Sequence, residues 1–414
     1  MIKPQTLKGF RDFLPSEARK RQYAINILRE VFESYGFQPL ETPSLEYEEI
    51  LLGKYGDEGD RLMYRFTDRG GRKVALRYDQ TVPLARVIAQ YQNELPMPFK
   101  RYQIQNVWRA DNTQKGRFRE FLQCDIDIVG ANSLLADAEV IKVASASLKA
   151  LGFKEFKILI NDKKTFSQLN KQGFVTDKDL AKAIRSLDKI KKIGEEGVLQ
   201  DLQKNGFPKE IANAIIKNAK ELNETNDLLL ISKLLERLGL RKTEQFIFTP
   251  ELARGLDYYT GLIFEVEIKG YEVGSVCGGG RYDNLIGLFA GKQIAAVGFS
   301  FGFDRLLEAM NELKLFPAEI LSSTTKVLVT VFNSDLLEKS LNCSLSLRSA
   351  GVQTEIYLDE NTTLEKQLKY ADKKGIPYTI IIGPDEASKN MVTIRNMKTR
   401  EQKTVSLERV LSTL

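Results

Sequence analysis

Helical periodicity and proline spacing organise the start of the chain. Apolar residues recur three and four positions apart between Pro15 and Phe32, which predicts a helix that ends at Gly36. Pro39 and Pro43 then lie in a short extended segment, and a proline cannot donate a hydrogen bond to a neighbouring strand. We therefore expect this segment to form a strand at a sheet edge or at an interface.

Strand patterning follows in several separate segments. Residues 74–81 and 103–109 have the composition of strands. Residues 118–130 alternate isoleucine with aspartate, which predicts a strand with one polar face. Strand patterning returns at residues 262–270, and the glycines of residues 275–283 predict a turn after it.

Changes in composition divide the chain into domains. Lys, Leu, Glu, Asn and Gln dominate residues 162–240 at helical spacing, which predicts an inserted helical module. Residues 297–313 begin as a strand and become a helix. After a Ser/Thr linker at 322–325, strands and helices alternate, which predicts a compact α/β domain with a mostly parallel sheet. The expected division is a core in two parts, a helical insertion and a C-terminal domain: 1–161, 162–240, 241–321 and 326–414.

The net charge and the cysteine content limit which partners the protein can bind and which cellular compartment suits it. The chain has 61 basic and 55 acidic residues, so any contact with nucleic acid must come from local patches. Cys124, Cys277 and Cys343 lie far apart, which argues against a disulfide framework or a zinc site and suits a reducing compartment. No secretion signal follows Met1, and no apolar run approaches the roughly 18 residues of a membrane span. We expect a cytoplasmic protein with packed thiols and no membrane contact.

Histidine is absent from the whole chain. This absence excludes Ser-His-Asp and Cys-His mechanisms, HExxH metal sites and any imidazole base. The chemistry must therefore use carboxylates, arginines, lysines, tyrosines and ions that arrive with the substrate. This set favours reactions that need charge stabilisation and positioning more than proton transfer.

The common nucleotide-binding motifs are absent from the sequence, but several arginines lie close to carboxylates. Residues 287–293 are one residue short of a P-loop and lack its Ser or Thr, and no GxGxxG joins a strand to a helix. Arg109 is close in sequence to Asp111, and Arg254 to Asp257. Guanidinium groups clamp phosphate oxygens and stack on flat rings, although each pair alone is more typical of a surface ion pair. Two unusual segments, RGLDYYTG and CGGGRYD, both combine Arg, Asp and Tyr with Gly.

Short motifs occur in a fixed order along essentially the whole chain. They are KGFRDFLP, YGFQPLETPSLE, LRYDQT, VWRADNTQKGRFREFLQCDIDIVG, ARGLDYYTG, SVCGGGRYDNLI and AAVGFSFGFDRL. In this order they resemble the histidyl-tRNA synthetases, class IIa aminoacyl-tRNA synthetases. The segments around residues 109 and 305 resemble motifs 2 and 3, which indicate only the class, whereas RGLDYYTG followed by GGGRYD is specific to the family.

The resemblance implies both a fold and a reaction. The fold is α+β, with an antiparallel active-site sheet flanked by helices, a helical insertion and a C-terminal α/β anticodon-binding domain. The reaction is ATP-dependent activation of L-histidine to histidyl-adenylate, followed by transfer to the 3′ end of tRNA(His) with release of AMP and pyrophosphate. In-line displacement at phosphorus needs charge neutralisation and alignment, which agrees with the histidine-free composition.

ATP and Mg²⁺ are the cofactors that the resemblance implies. Arg109 matches the arginine that holds the α-phosphate and the substrate carboxylate, and Arg254 matches one across the α-phosphate, where related enzymes use a metal ion. Arg305 is expected against adenine and the γ-phosphate, with Phe121 on the other face of adenine. Arg117 would meet the β- and γ-phosphates. Catalysis would rest on Arg109, Arg254 and Arg305, with magnesium held through the phosphates of ATP and not by His or Cys.

The resemblance also implies a histidine pocket. Its members are Asp79, Thr81, Arg109, Gln123, Asp127, Arg254, Tyr258, Tyr259 and Tyr282. A neutral imidazole offers one donor and one acceptor, so a pocket that answers both leaves polar groups unpaired with other amino acids. Asp127 and Tyr259 match the ring's partners, and Asp79, Thr81 and Gln123 match the groups at the α-amino end.

Two segments depart from the pattern of many bacterial members. Tyr78, Asp79 and Gln80 stand where those members have Pro-Glu-Gly, and Asp127 stands where they have Glu. Each Asp is one methylene shorter than Glu, which changes the geometry of the pocket. We expect the ammonium contact to survive. Outside this context, Asp127 would be interpreted as a solvated strand residue.

The partners implied are tRNA(His) and a second copy of the chain in a homodimer. Gln114 and Lys115 match the region that contacts the extra 5′ guanosine of this tRNA. Basic residues of the C-terminal domain could meet phosphates, as any basic patch could. They are Lys373, Lys374, Arg395, Lys398 and Arg400.

Two other functions stay open at this point. One is a non-catalytic paralogue that serves as the regulatory subunit of ATP phosphoribosyltransferase; such proteins generally lack the anticodon domain and the signature arginines. The other is a synthetase for a different amino acid of the same subclass. Pyrophosphate exchange with each amino acid distinguishes all three.

Overall fold

A computed structural model describes residues 2–54, 56–113, 116–254 and 258–414. The chain forms two compact units. The first runs up to Asp12 and continues as Ala24–Leu315, and the second combines Phe13–Tyr23 with Phe316–Leu414.

The strands of both units are short to medium in length. In chain order they are β1 (Gln38–Pro39), β2 (Leu45–Tyr47), β3 (Arg65–Thr67), β4 (Lys73–Leu76), β5 (Phe99–Trp108), β6 (Glu120–Val129), β7 (Phe156–Asp162), β8 (Phe246–Phe248), β9 (Leu262–Ile268), β10 (Cys277–Arg281), β11 (Ala296–Gly302), β12 (Val327–Val329), β13 (Thr354–Ile356), β14 (Tyr378–Ile381), β15 (Met391–Asn396) and β16 (Gln402–Ser406).

Besides the strands, the described residues form α-helices and three short 3₁₀ helices. The 3₁₀ helices are Lys163–Phe166, Ser334–Leu336 and Leu407–Arg409. In chain order the α-helices are α1 (Pro15–Ser34), α2 (Glu48–Leu51), α3 (Gly56–Arg61), α4 (Thr81–Gln90), α5 (Leu134–Ala150), α6 (Ser167–Lys171), α7 (Asp177–Leu187), α8 (Ile190–Lys204), α9 (Lys209–Ala219), α10 (Asn226–Arg237), α11 (Gly287–Ala290), α12 (Phe303–Glu312), α13 (Ala318–Leu321), α14 (Leu337–Ser349), α15 (Leu364–Lys374), α16 (Pro384–Ser388) and α17 (Val410–Thr413).

The large sheet of the first unit is mainly antiparallel. Its strand order, within the described residues, is β1-β5-β6-β11-β10-β9-β7-β8. The inner neighbours are antiparallel, and only the two edge pairs, β1 with β5 and β7 with β8, are parallel. The antiparallel sheet that the family resemblance implied is confirmed. The proline segment forms β1 at the edge of this sheet, as expected.

The first helix follows its sequence signals. Helix α1 begins at Pro15, where a proline is tolerated because its missing N–H would have no partner in the first turn. It buries Leu28 and Phe32, and the chain turns after it at Gly36 with φ +78°. The ring of Phe32 lies 6.4 Å from that of Phe299 in β11, so the helix packs on the large sheet.

Two expectations about the strands were wrong. The strand expected at residues 74–81 ends at Leu76, because Asp79 instead accepts hydrogen bonds from the first N–H groups of α4. The turn expected at residues 275–283 is the strand β10, which pairs with β9 on one side and β11 on the other. The strand with one polar face that was expected at residues 118–130 is confirmed as β6, and that polar face is buried: Asp125 is 3% exposed and Asp127 4%.

The segment expected to be helical contains α6 to α10. Helices α6 to α9 present their apolar sides to one core that includes Phe166, Leu187, Leu202 and Ile215 and extends to Tyr259 and Ile263 outside the segment. Helix α10 packs against α5 instead. None of the helices in the described parts of the chain is long and apolar enough to cross a bilayer.

The sheet of the second unit is only partly parallel. Its order among the described residues is β13-β12-β14-β15-β16. Strand β12 runs parallel to β13 and β14, whereas β15 is antiparallel to both β14 and β16. The expected mostly parallel sheet is therefore wrong for this half, because β15 and β16 follow each other as a hairpin.

Candidate active site

A cavity of about 380 Å³ in the first unit is lined by most of the residues singled out in the sequence. The cavity wall includes Asp79, Thr81, Arg109, Arg117, Phe121, Gln123, Asp127, Arg254, Tyr258, Tyr259, Tyr282 and Arg305. These residues come from the loop before α4 and its first residue, from β6 and the β5–β6 hairpin, from the segment between β8 and β9, from the residue after β10 and from α12. Gln114 and Lys115 lie outside the described residues.

Arg109 lies at the end of β5 between two aromatic rings. Its guanidinium carbon is 4.3 Å from the centre of the Tyr78 ring and 5.2 Å from that of Phe121. Its Nε donates to the Tyr78 carbonyl oxygen at 3.0 Å. The guanidinium is therefore oriented by stacking and by one hydrogen bond, and its remaining N–H groups can bind an anion.

Arg254 approaches the backbone of β10 closely. Its Nη1 donates to Glu265 Oε1 at 3.0 Å. A Cβ atom built on Gly278 would lie 1.9 Å from that same Nη1, so only glycine leaves room for the guanidinium there. Burial lowers the pKa of Arg254, but Tyr259 and Glu265 act more strongly in sum and leave it raised, so the group stays cationic.

Arg305 lies on the first turn of α12, next to Gly116 in the β5–β6 hairpin. Its Nη1 donates to the Ser275 carbonyl oxygen at 3.1 Å. A Cβ on Gly116 would come within 3.3 Å of its Cγ, so this hairpin passes directly over the side chain. The neighbouring Asp304 pairs with Arg11 at 2.9 Å, which ties the N-terminal segment to the same edge of the cavity. Arg117 is half-buried nearby.

Asp127 forms the opposite, acidic part of the cavity wall. It accepts a hydrogen bond from the Tyr282 hydroxyl at Oδ1, and its Oδ2 pairs with the fully buried Arg101 at 2.7 Å. Gly298 on β11 makes room for it, since a Cβ there would lie 2.0 Å from Oδ1. Burial raises the pKa of Asp127 to about 6, against the opposing effect of Arg101. At neutral pH the carboxylate is therefore ionised and can accept further hydrogen bonds.

Three tyrosines stand close to this carboxylate. The ring centre of Tyr258 is 4.9 Å from that of Tyr259 and 5.9 Å from that of Tyr282. Burial raises the pKa of all three phenols, with Asp127 adding to the rise for Tyr282. Each hydroxyl therefore keeps its proton at neutral pH and can donate a hydrogen bond.

Asp79 and Gln123 are two further polar residues of the cavity wall. Asp79 Oδ1 accepts from the N–H groups of Thr81 and Val82, both at 3.1 Å, and thereby caps α4. The Gln123 side-chain amide donates to Ser300 Oγ at 3.1 Å. Both residues are almost fully buried, at 5% and 8% exposure.

Three charged residues of the site were not singled out in the sequence as functional. Arg101 pairs with Asp127, Glu265 pairs with Arg254, and Asp125 lies on β6 between Gln123 and Asp127. A signal existed for Arg101, because polar residues alternate along RYQIQ with the same period as along β6. Asp125 was noticed only as part of the alternating pattern, and Glu265 only as part of a strand.

No group of three or more His, Cys, Asp or Glu side chains that could hold a metal ion occurs in the described residues. Triphosphate oxygens are suitable ligands for Mg²⁺, which usually keeps several waters and few protein ligands.

Comparisons with known proteins agree with this site. A histidyl-tRNA synthetase family model matches residues 9–306, and an anticodon-binding domain model matches residues 326–414. The curated histidine–tRNA ligases of Cytophaga hutchinsonii and Wolinella succinogenes are each 40% identical to this chain, with 100% of both chains covered for the first and 97% of this chain and 96% of the relative for the second. A crystal structure of histidyl-tRNA synthetase from Nostoc superposes with a TM-score of 0.83 at 32% identity, covering 100% of both chains. The chain belongs to the histidyl-tRNA synthetase family.

Proposed function

We propose that the chain is an active histidine–tRNA ligase that forms histidyl-adenylate and transfers the histidyl group to tRNA(His). The observation that carries the proposal is the convergence of Arg109, Arg254 and Arg305 on one cavity that also holds Asp127. The comparisons support the function, since relatives named histidine–tRNA ligase match the chain over its full length.

In the first step, the arginines bind the reacting phosphates. Arg109 and Arg254 hold the α-phosphate from two sides while the histidine carboxylate attacks it in line. Arg305 and Phe121 enclose adenine, and Arg117 binds the β- and γ-phosphates. Fixed guanidinium groups stabilise the charge that grows on the phosphate oxygens without reorganising during the reaction. Mg²⁺, held by the phosphates themselves, would neutralise the leaving pyrophosphate.

Histidine selection follows from hydrogen bonding to both ring nitrogens. Asp127 accepts a hydrogen bond from the protonated nitrogen, and the Tyr259 hydroxyl, whose pKa is raised by burial, donates to the other. Tyr258 and Tyr282 complete the walls. An amino acid without this donor and acceptor would leave buried polar groups unpaired, which typically costs about 1–3 kcal/mol for each group.

The second step needs a proton acceptor that is not a histidine of the chain, because the chain has none. We propose that a non-bridging phosphate oxygen of the adenylate accepts the proton from the tRNA ribose hydroxyl. Replacing that oxygen should slow single-turnover transfer. An essential ionisation that persists unchanged after the replacement would contradict this role.

Amino-acid-dependent pyrophosphate exchange tests the function. We expect exchange with ATP and histidine and none with the other amino acids. Exchange with a different amino acid would indicate a synthetase of other specificity. Absence of exchange with every amino acid would favour the regulatory-subunit hypothesis, against which the three arginines and the anticodon-domain match stand.

A homodimer is the proposed assembly. Tyr47 on β2 and Phe66 on β3 flank Val74 in register, and these two rings are 52% and 47% exposed. Exposed aromatic side chains on a small sheet are typical of surfaces that bind another chain. We expect Tyr47→Asp to weaken the dimer in sedimentation measurements, whereas Lys73→Glu on the neighbouring strand should not.

The C-terminal domain is the proposed contact for the anticodon stem. Its residues Lys373, Lys374, Lys398 and Arg400 are all exposed, and Lys374 is already paired with Glu355 in the described structure. Lys373, Lys398 and Arg400 are therefore the better candidates for phosphate contacts. Charge reversal at these positions should weaken tRNA binding without changing histidine-dependent pyrophosphate exchange.

A further inference from the structure

Polar side chains occupy alternate positions along β6. Gln123, Asp125 and Asp127 all line the cavity, because residues two apart on a strand point to the same face. The family resemblance implies that the first binds the α-amino group of histidine, and the proposed function uses the last for its ring. Asp125 therefore lies between the groups that bind the two ends of the substrate's Cα–imidazole segment.

Two acceptor atoms at this position accept no hydrogen bond from any described residue. They are Asp125 Oδ1 and Gln123 Oε1, and both are buried. The Gln123 amide nitrogen is already used, since it donates to Ser300. Buried polar atoms in proteins nearly always have a partner, so a donor from outside the chain is expected here.

The local charge favours a cationic donor over water. Burial raises the pKa of Asp125 to about 7; Arg101 and a hydrogen bond with Ser300 oppose the rise, whereas Asp127 and Asp79 increase it. These neighbouring charges are two carboxylates against one guanidinium. A bound cation would therefore be stabilised by Asp125, and the ammonium group is the cationic part of an amino acid substrate.

Asp79 is partly engaged in the fold. Its Oδ1 accepts the two hydrogen bonds that cap α4, both at 3.1 Å. A second carboxylate at position 125 would add to the negative charge that Asp79 supplies.

We propose that Asp125, together with Gln123, binds the α-ammonium group of the substrate and selects for ligands that carry it. This inference rests on the proposed function, because it requires histidine to occupy the cavity. Asp125 acts as a binding residue, and the hydrogen bond runs from the ammonium N–H to the carboxylate oxygen.

Two histidine analogues test the inference in the full-length protein. Histidinol keeps the ring and the ammonium group, whereas imidazolepropionate keeps the ring but lacks the ammonium group. For Asp125→Asn, we expect histidinol to bind roughly 10- to 100-fold more weakly, as for loss of a charged hydrogen-bond partner. Imidazolepropionate should bind equally well or more tightly, because a negative charge has been removed. Asp127→Asn is the matched control and should weaken both ligands, since it faces the ring.

Equal losses for both ligands, or no loss for histidinol, would overturn the role of Asp125. If Asp125→Asn yields no folded protein, Asp125→Ser provides the same comparison with a smaller side chain. Histidine-dependent pyrophosphate exchange by the unmodified enzyme is measured in parallel. Its absence would overturn the proposed function and this inference together, whereas its presence with unselective loss would overturn the inference alone.

Discussion

The position of the Arg254 guanidinium depends on the absence of a side chain at Gly278. The guanidinium lies so close to the backbone of β10 that a Cβ atom added to Gly278 would be 1.9 Å from Nη1. Since Nη1 is the far end of a flexible side chain, the chain can relieve such a clash by moving the guanidinium. The backbone need not move.

Gly278→Ala should therefore reduce catalysis more than stability. Displacing one group that stabilises charge at the reacting centre typically lowers kcat about 100- to 1000-fold. The free energy of unfolding should change by about 1 kcal/mol, the scale of an off-rotamer side chain. Pyrophosphate exchange and urea denaturation measure the two quantities.

Gly70→Ala is the matched control for Gly278→Ala. Its added Cβ would come no closer than 3.4 Å to its neighbours, in an exposed loop away from the cavity. We expect unchanged exchange for this variant. A Gly278→Ala enzyme with full kcat would contradict the proposed position of Arg254 across the α-phosphate.

Site residues could be predicted from the sequence where they belong to a recognisable motif. Residues that join the site only through tertiary packing could not. Arg109, Arg254 and Arg305 belong to recognisable segments, and all three line the cavity. The partners Arg101 and Glu265 were missed because a charged residue in an alternating strand is usually interpreted as solvent-facing. Their burial depends on which strands pair, and this is a long-range property that local patterns do not contain.

At the scale of elements, one buried ion pair fixes β10 to α5. Arg281 at the end of β10 donates from Nε to Asp137 Oδ1 at 2.9 Å, and Asp137 is fully buried. Arg281 also pairs with Asp283 at 3.2 Å. Because Tyr282 lies between these two residues, the ion pairs also orient the hydroxyl that binds Asp127.

Removing one partner of this pair should be much more harmful than removing both. Arg281→Met leaves the Asp137 carboxylate buried and unpaired, which typically costs about 3–5 kcal/mol. The double variant Arg281→Met with Asp137→Leu should recover most of that loss in urea denaturation. Both variants should raise the KM for histidine, because Tyr282 loses its anchor. Equal stability of the single and double variants would contradict this account.

Local patterns predicted the element types well, and most errors fell at the site. Helix α1 and the strand–helix junction β11–α12 agree with their apolar spacing. The glycines of β10 were interpreted as a turn, because glycine usually marks one. Here they instead allow Arg254 and the neighbouring strands to approach the backbone. Only the tertiary contacts of the strand distinguish the two interpretations.

Across the whole catalytic unit, the cavity is lined by charged side chains of both signs. Arg109, Arg254 and Arg305 supply positive charge where phosphates would bind, and Asp125 and Asp127 supply negative charge on β6. A triphosphate and the ammonium group of an amino acid complement these two regions. Without substrates, each region contains charges that burial disfavours, so the cavity should reduce the stability of the unliganded protein.

The acidic region should make this loss of stability depend on pH. Burial raises the pKa of Asp125 to about 7 and that of Asp127 to about 6, above the usual 3.8 of Asp. Between the usual value of 3.8 and these raised values, the folded protein binds more protons than the unfolded chain. The free energy of unfolding should therefore fall as the pH rises from about 4 to about 7.

Asp125→Asn should remove part of this pH dependence. At about 1.4 kcal/mol for each pKa unit, the variant should gain a few kcal/mol over the unmodified protein between about pH 4.5 and pH 8, measured by urea denaturation. Saturating histidinol should reduce this gain, because the bound ammonium stabilises the ionised Asp125 in the unmodified protein. If the variant and the unmodified protein lose equal stability over this range, Asp125 is not the titrating group. Its burial would then not oppose folding at neutral pH.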